Sequence, residues 1–206
     1  MVVKPPRDPR HRPTLREEQA GLTRTRILDA ARRLFFRDGY AATTLKAVAA
    51  EAGVAVQTVY AVFGSKPAIL TELRWLVVDL PEADAARQEA MHARSAEERL
   101  SRFAHSIRQR WELAGDIVQV NQDAARADPS IRAEVQPAED RRQAGISAFV
   151  RALGHDFDLP IDVARETATV DALTMYQLYA QLVGVHGWTP DDYESWLRAQ
   201  LIATVR

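Results

Sequence analysis

The chain has 206 residues, of which 47% are hydrophobic and 27% charged, and it contains no cysteine. That balance is ordinary for a soluble globular protein; it excludes a disulfide scaffold, thiol catalysis and any cysteine-bound metal, and no apolar run reaches the ~18 residues that a membrane span needs. The net charge is only −1, yet residues 1–66 carry 12 Lys and Arg against 6 Asp and Glu, and the remainder 15 against 22, a basic head on an acidic body.

Residues 1–20 read as a flexible basic arm. Pro5, Pro6, Pro9 and Pro13 exclude a helix, and Lys4, Arg7, Arg10, Arg12 and Arg16 outnumber Asp8. Two readings stand: a disordered leader, or an arm that lies along phosphates or dips into a minor groove. The stretch has no apolar core of the kind a signal peptide carries, so a cytoplasmic location is expected. A first helix is predicted from about Thr23 to Arg37, with Ile27, Ala31, Leu34 and Phe35 as its buried stripe and Asp38-Gly39 as its stop. Either Thr43 or Thr44 can cap the next helix, whose free amides also form a phosphate seat.

Leu45, Val48, Ala49 and Ala52 then fall on one face of a short helix. Gly53 interrupts it where the chain must enter the left-handed region. A second short apolar period runs through Val56, Val59, Tyr60 and Phe63 to Gly64. Two short helices meeting at a glycine turn follow the helix-turn-helix plan, although an ordinary corner in a helical protein has the same spacing. Ser65-Lys66-Pro67 opens a fourth helix with an apolar face of Ile69, Leu70, Leu73, Leu76 and Val77, bent or ended by Pro81.

The remainder reads as helices alone. Ser95 to Glu98 forms a start before Leu100, Phe103, Ile107 and Trp111, and Asp116–Ala127 forms a separate short helix stopped by Asp128-Pro129. Ile131 to Leu153 follows, with Pro137 as an early break or a later start. One long helix is expected from Pro160-Ile161-Asp162 through Val183, ended by Gly184 and Gly187. Thr189-Pro190-Asp191-Asp192 caps a final helix with a stripe of Tyr193, Trp196, Leu197, Leu201 and Val205.

The series Ile27, Ala31, Leu34-Phe35, Gly39-Tyr40, Thr43-Thr44, Val48-Ala49, Ala52-Gly53-Val54, Thr58-Val59-Tyr60, Phe63 and Lys66 resembles the TetR family of bacterial transcriptional regulators. It covers about 50 residues, and beyond them only length and helical character agree. The resemblance implies an all-α chain with a helix-turn-helix DNA-binding domain at 21–66 and a helical ligand-binding and dimerisation domain at 67–206. It implies a homodimer through the last two helices, where Ala164, Ala168, Ala172 and Ala180 would suit a helix buried on two sides. The fourth helix would link the domains, so that its displacement changes the spacing between two reading heads. By position, Thr43, Thr44 and Lys46 would meet the DNA backbone, Val56, Gln57 and Thr58 would face base edges, and Tyr60 and Lys66 would approach phosphates. Gln57 can pair bidentately with adenine, and Ala55 and Val56 can touch a thymine methyl. Tyr60 reads equally well as core. Two alanines depart from the pattern, Ala55 where the family often has serine and Ala61 where it often has histidine, which weakens backbone contact.

Trp75, Phe103, His105, Trp111, Tyr176 and Tyr179 are the candidates to line a ligand cavity, each of which also reads as plain core. The expected effector is an apolar or aromatic small molecule. His105 and His186 have no partner at metal spacing, and neither a metal nor another cofactor is expected. No G-x-S-x-G, glycine-rich phosphate loop or HExxH is present, so no enzyme is expected. The sequence therefore points to a regulator, most simply a repressor released from a palindromic operator by a small molecule. The alternative is a helical ligand-binding or adaptor dimer that has lost specific DNA binding.

Overall fold

Short-range chemistry starts and stops most of the helices in the computed structural model, which describes residues 14–78 and 88–205, without the side chains of 76–78. Within them the fold is all-α. Helix α1 spans Leu15–Asp38, α2 Leu45–Ala52, α3 Val56–Phe63 and α4 Lys66–Val78. The second half comprises α5 (Ala96–Ala127), α6 (Pro129–Asp156), α7 (Val163–Leu173), α8 (Tyr176–Tyr179, continued by a π-helical turn at Ala180–Val185) and α9 (Pro190–Thr204).

Helix α1 begins earlier than the prolines of the leader suggest. Thr14 caps it, accepting from the Glu17 amide while the Glu17 carboxylate accepts from the Thr14 amide at 2.8 Å, a reciprocal capping box. Residues 15–20, expected as part of the arm, are therefore helical, though fully exposed. The arm's residues 1–13, and Pro81, lie outside the described residues. Thr44 caps α2, and Gly53 closes it at φ 65°, ψ 40°. The chain turns by 107° between α2 and α3, within the range of helix-turn-helix units.

The predicted stripes of the head are buried: Ile27, Ala31, Leu34 and Phe35 of α1 meet Val48, Ala49 and Ala52 of α2, Val59 of α3, and Ile69, Leu70 and Leu73 of α4. The same core continues into the body through Ala114, Ile117, Val120 and Ala124 of α5 and Ile131 of α6. A second core lies toward the start of α5, where Leu100, Phe103 and Trp111 pack with Phe149, Val150 and Leu153 of α6 and with Tyr193, Leu197 and Leu201 of α9. Burying side chains of this size contributes about 1.5–3 kcal/mol each before entropy is counted, and Tyr193, Leu197 and Leu201 are wholly buried.

Three expectations for the body are corrected. The predicted break before Asp116 does not exist, because α5 runs unbroken for 32 residues. Gly115 lies within it to make room for a neighbour: a Cβ at this position would collide with the ring of Tyr176. Pro137 neither breaks nor starts a helix but lies inside α6. It forfeits one backbone bond, and Ala133, whose carbonyl loses that partner, faces solvent. The single long helix expected up to Val183 is two, because Met175 is extended at φ −69°, ψ 140°. The Thr174 hydroxyl donates to the Val170 carbonyl at 2.7 Å and closes α7 without glycine or proline.

Gly115→Ala should destabilise the protein by about 1–3 kcal/mol through overpacking, read as a lower urea midpoint. In a Tyr176→Leu background the loss should shrink, since the ring that obstructs the new methyl is gone.

Candidate nucleic-acid interface and a partly open cavity

The α2–α3 pair presents a polar outer surface on an apolar inner one. Lys46, Ala55, Gln57 and Tyr60 are exposed, the last at 54%, while Val56 and Thr58 are half-buried and Val59 is fully enclosed. The aromatic ring of Tyr60 is thus outside the core. Thr44 is exposed with its hydroxyl accepting from the Ala47 amide at 3.1 Å. At the start of α3, Ala55 supplies no side-chain acceptor, so no side chain caps the amides of that first turn.

Thr43 and Lys66 are placed otherwise than expected. Thr43 is buried, and its hydroxyl donates to the Gly39 carbonyl at 2.9 Å. The Lys66 ammonium donates to the carbonyls of Tyr40 (2.8 Å), Ala41 (3.3 Å) and Thr43 (2.9 Å) and lies 4.4 Å from the centre of the Tyr40 ring. All three of its N–H bonds are thereby used within the protein, and burial pushes its pKa below the ordinary lysine value. Both residues brace the loop between α1 and α2. Arg24 braces the opposite side, pairing with Glu72 of α4 at 2.5 Å and lying 4.6 Å from the centre of the Phe63 ring.

Between α4, α5, α6 and the start of α8 lies a cavity of about 120 Å³. Of the six predicted lining residues it includes Trp111 and Tyr176. The other four lie elsewhere. Trp75 is 62% exposed on α4, Phe103 stacks on Phe149 at 4.2 Å, and the Tyr179 ring packs edge-on against Tyr193 at 4.9 Å. His105 binds Glu194 of α9 at 2.9 Å. The apolar walls are completed by Ile117, Val118, Val135 and Met175.

Its polar residues, Arg74, Asn121, Gln122, Glu139 and Arg142 among them, escaped the sequence reading. Asn121 had a visible signal, an amide set among Ile117, Val118, Val120 and Ala124 on a helix. Arg142 had none: it acts by reaching Asp171 and the Thr174 hydroxyl across the break between α7 and α8. Arg74 donates to Glu134 of α6 at 2.8 Å, so α4 both supports the head and forms part of the cavity wall.

Residues 27–73, which hold this helix pair and its supports, match the model of the bacterial regulatory proteins of the tetR family. This segment is a TetR-family DNA-binding head. Solved structures agree over nearly the whole length of the chain. The TetR-family transcriptional regulator PfmR from Thermus thermophilus is 26% identical, with 88% of this chain and 97% of that one covered and a TM-score of 0.67. A transcriptional regulator from Saccharomonospora viridis, solved in complex with choline, is 24% identical over 90% and 98% of the two chains, with a TM-score of 0.67. The fatty acid degradation regulator FadR from Bacillus halodurans is 14% identical over 89% and 96%, with a TM-score of 0.70. No curated protein sequence matches the chain. The matched segment accounts for the helix-turn-helix head, and the agreement with solved regulators accounts for the fold of the rest. Among the described residues, no single helix is long and apolar enough to cross a membrane.

Lys66→Met keeps the stem and removes three donors. It should cost about 1–3 kcal/mol of stability and leave the salt dependence of DNA binding unchanged. A salt slope shallower by about one would instead mark Lys66 as a phosphate contact.

Proposed function

We propose that the protein is a cytoplasmic homodimeric repressor that binds a palindromic operator through α2 and α3 and is released when a small molecule enters the cavity. The observation that carries this reading is α4: one helix holds the α1–α2 loop through Lys66 and forms part of the cavity wall through Arg74. A ligand against Arg74 therefore bears on the element that sets the position of the reading head. A two-fold dimer reads half-sites ~34–36 Å apart or a multiple of that, so small displacements matter. The chain divides on this reading into an arm, a DNA-binding domain reaching to Lys66, and a ligand-binding and dimerisation domain from Pro67 onward. It is a regulator and not an enzyme.

On the reading surface, Gln57 is the residue that addresses bases, with Ala55, Val56 and Thr58 beside it. Thr44, Lys46, Tyr60 and the uncapped amides of α3 address phosphates. Thr43 and Lys66 support that surface from within. The dimer uses α7 and α9. Ala164, Ala168 and Ala172 are exposed along one side of α7, and Ala199 and Ala203 are exposed on α9. Such smooth faces let helices of two copies approach closely, which suits a two-fold interface where one patch meets its own copy.

Selection of random duplexes with purified protein tests the whole reading. An enriched palindrome supports the repressor, whereas no enrichment at low salt favours the adaptor dimer. Gln57→Ala should then cost about 1–3 kcal/mol at the enriched sequence and little on random DNA; equal losses on both would remove the readout role. Ala168→Arg should halve the mass seen by light scattering at micromolar concentration, and an unchanged dimer would place the interface elsewhere.

A further inference from the structure

Three residues of the cavity wall carry a buried polar atom without a hydrogen-bond partner; Trp111 Nε1 is turned to the Tyr193 hydroxyl, which leaves Asn121 and Arg74. Asn121 is 4% exposed, and its Nδ2 donates to the Ile117 carbonyl at 2.9 Å. Only the amide nitrogen can donate to a carbonyl, which fixes the orientation of the side chain. Its Oδ1 is left as an acceptor with no donor. Arg74 donates from Nη2 to Thr71 and Glu134, yet its Nε has no acceptor. Buried groups left in this state destabilise the protein unless something in the cavity completes them.

Charge argues against an ion as that occupant. The cavity's arginines 74, 110 and 142 are set against Glu139 in the wall and against Glu134 and Asp171, which pair with Arg74 and Arg142. Arg110 carries an interaction of its own. An entering carboxylate or ammonium would lose its hydration to walls already compensated. The volume, about 120 Å³, suits one ring or a similarly compact body, since a dry cavity of roughly 150 Å³ holds benzene. Ile117, Val118, Val135 and Met175 offer it an apolar seat, with Trp111 and Tyr176 presenting ring surfaces.

We infer that the cavity takes an uncharged, single-ring-sized molecule bearing a hydroxyl, which donates to Asn121 Oδ1 and accepts from Arg74 Nε. The cavity's regulatory use rests on the repressor reading above; the ligand class rests on the two unpartnered atoms. A methyl ether of the same ring can accept but not donate, so it cannot satisfy Asn121.

Calorimetric titration of the full-length protein with p-cresol, 4-methylanisole, p-toluate and benzyltrimethylammonium tests the assignment. p-Cresol should bind at least tenfold more tightly than each of the others. Asn121→Leu, once its thermal unfolding shows that it folds, should bring p-cresol to within twofold of 4-methylanisole and leave the ether unchanged. If that variant does not fold, the comparison of phenol with ether on the parent protein decides. Equal or tighter binding of the ether, carboxylate or cation, binding of none, or an undiminished phenol preference in the variant overturns the inference. Its failure is separable from that of the repressor reading. An operator recovered by a protein indifferent to p-cresol sinks only the ligand class, and phenol selectivity in a protein that selects no DNA sinks only the regulator.

Discussion

The fork between Arg32 of α1 and Asp116 of α5 is the constraint through which the two halves of the molecule hold one geometry. Two parallel N–H bonds of 2.5 and 2.6 Å reach the two carboxylate oxygens, and Nη2 also donates to the Leu113 carbonyl at 2.9 Å. A bidentate arginine fixes orientation as well as distance, which a lysine in its place would not. Because α1 is the central helix of the head, its direction relative to α5 sets where α2 and α3 point. Apolar packing between the halves supplies contact but little directional preference, and the fork supplies the latter.

The cavity and this joint share a stretch of α5. Gly115 lets the Tyr176 ring rest against the helix, and Asp116, the next residue, holds Arg32. On the opposite side of the cavity, Arg74 joins α4 to Glu134 of α6. The wall groups are thus the same groups that tie head to body, or their immediate neighbours. This arrangement explains why so many polar residues gather in one place where the helices turn their apolar stripes inward: they serve the joints around the cavity as much as its interior.

The sequence disclosed much that depends on near neighbours, although not the Thr14–Glu17 box that starts α1. The caps at Thr44, Ser95 and Thr189, the glycine turn at Gly53 and the buried stripes of α1, α2 and α9 follow from spacing and from side chains that bond within three or four residues. Residues whose roles depend on distant partners were misread or passed over. Lys66 has the appearance of a surface cation until three carbonyls from residues 40–43 are seen around it. Gly115 drew no reading from the sequence, because its role lies in the contact with Tyr176, 61 positions later. The break at Thr174-Met175 has no glycine or proline to announce it, and its polar groups are met by Arg142 from another helix. The cavity, assembled from four helices, was legible only in Trp111 and Tyr176.

Helix α4 can also be considered as a lever. Lys66 and Arg74 are eight residues apart on one helix, about 12 Å at 1.5 Å per residue. Two turns of helix are too short to absorb strain by bending gradually. A sideways movement of about 1 Å at the Arg74 end therefore becomes a rotation of about 5° over that length. The pivot grips the loop immediately before α2, and Gln57 lies beyond it, so the exposed surface of α3 turns with the rod. On the proposed reading, stiffness over this short span, and not distance travelled, would convert the filling of a small cavity into a change of angle.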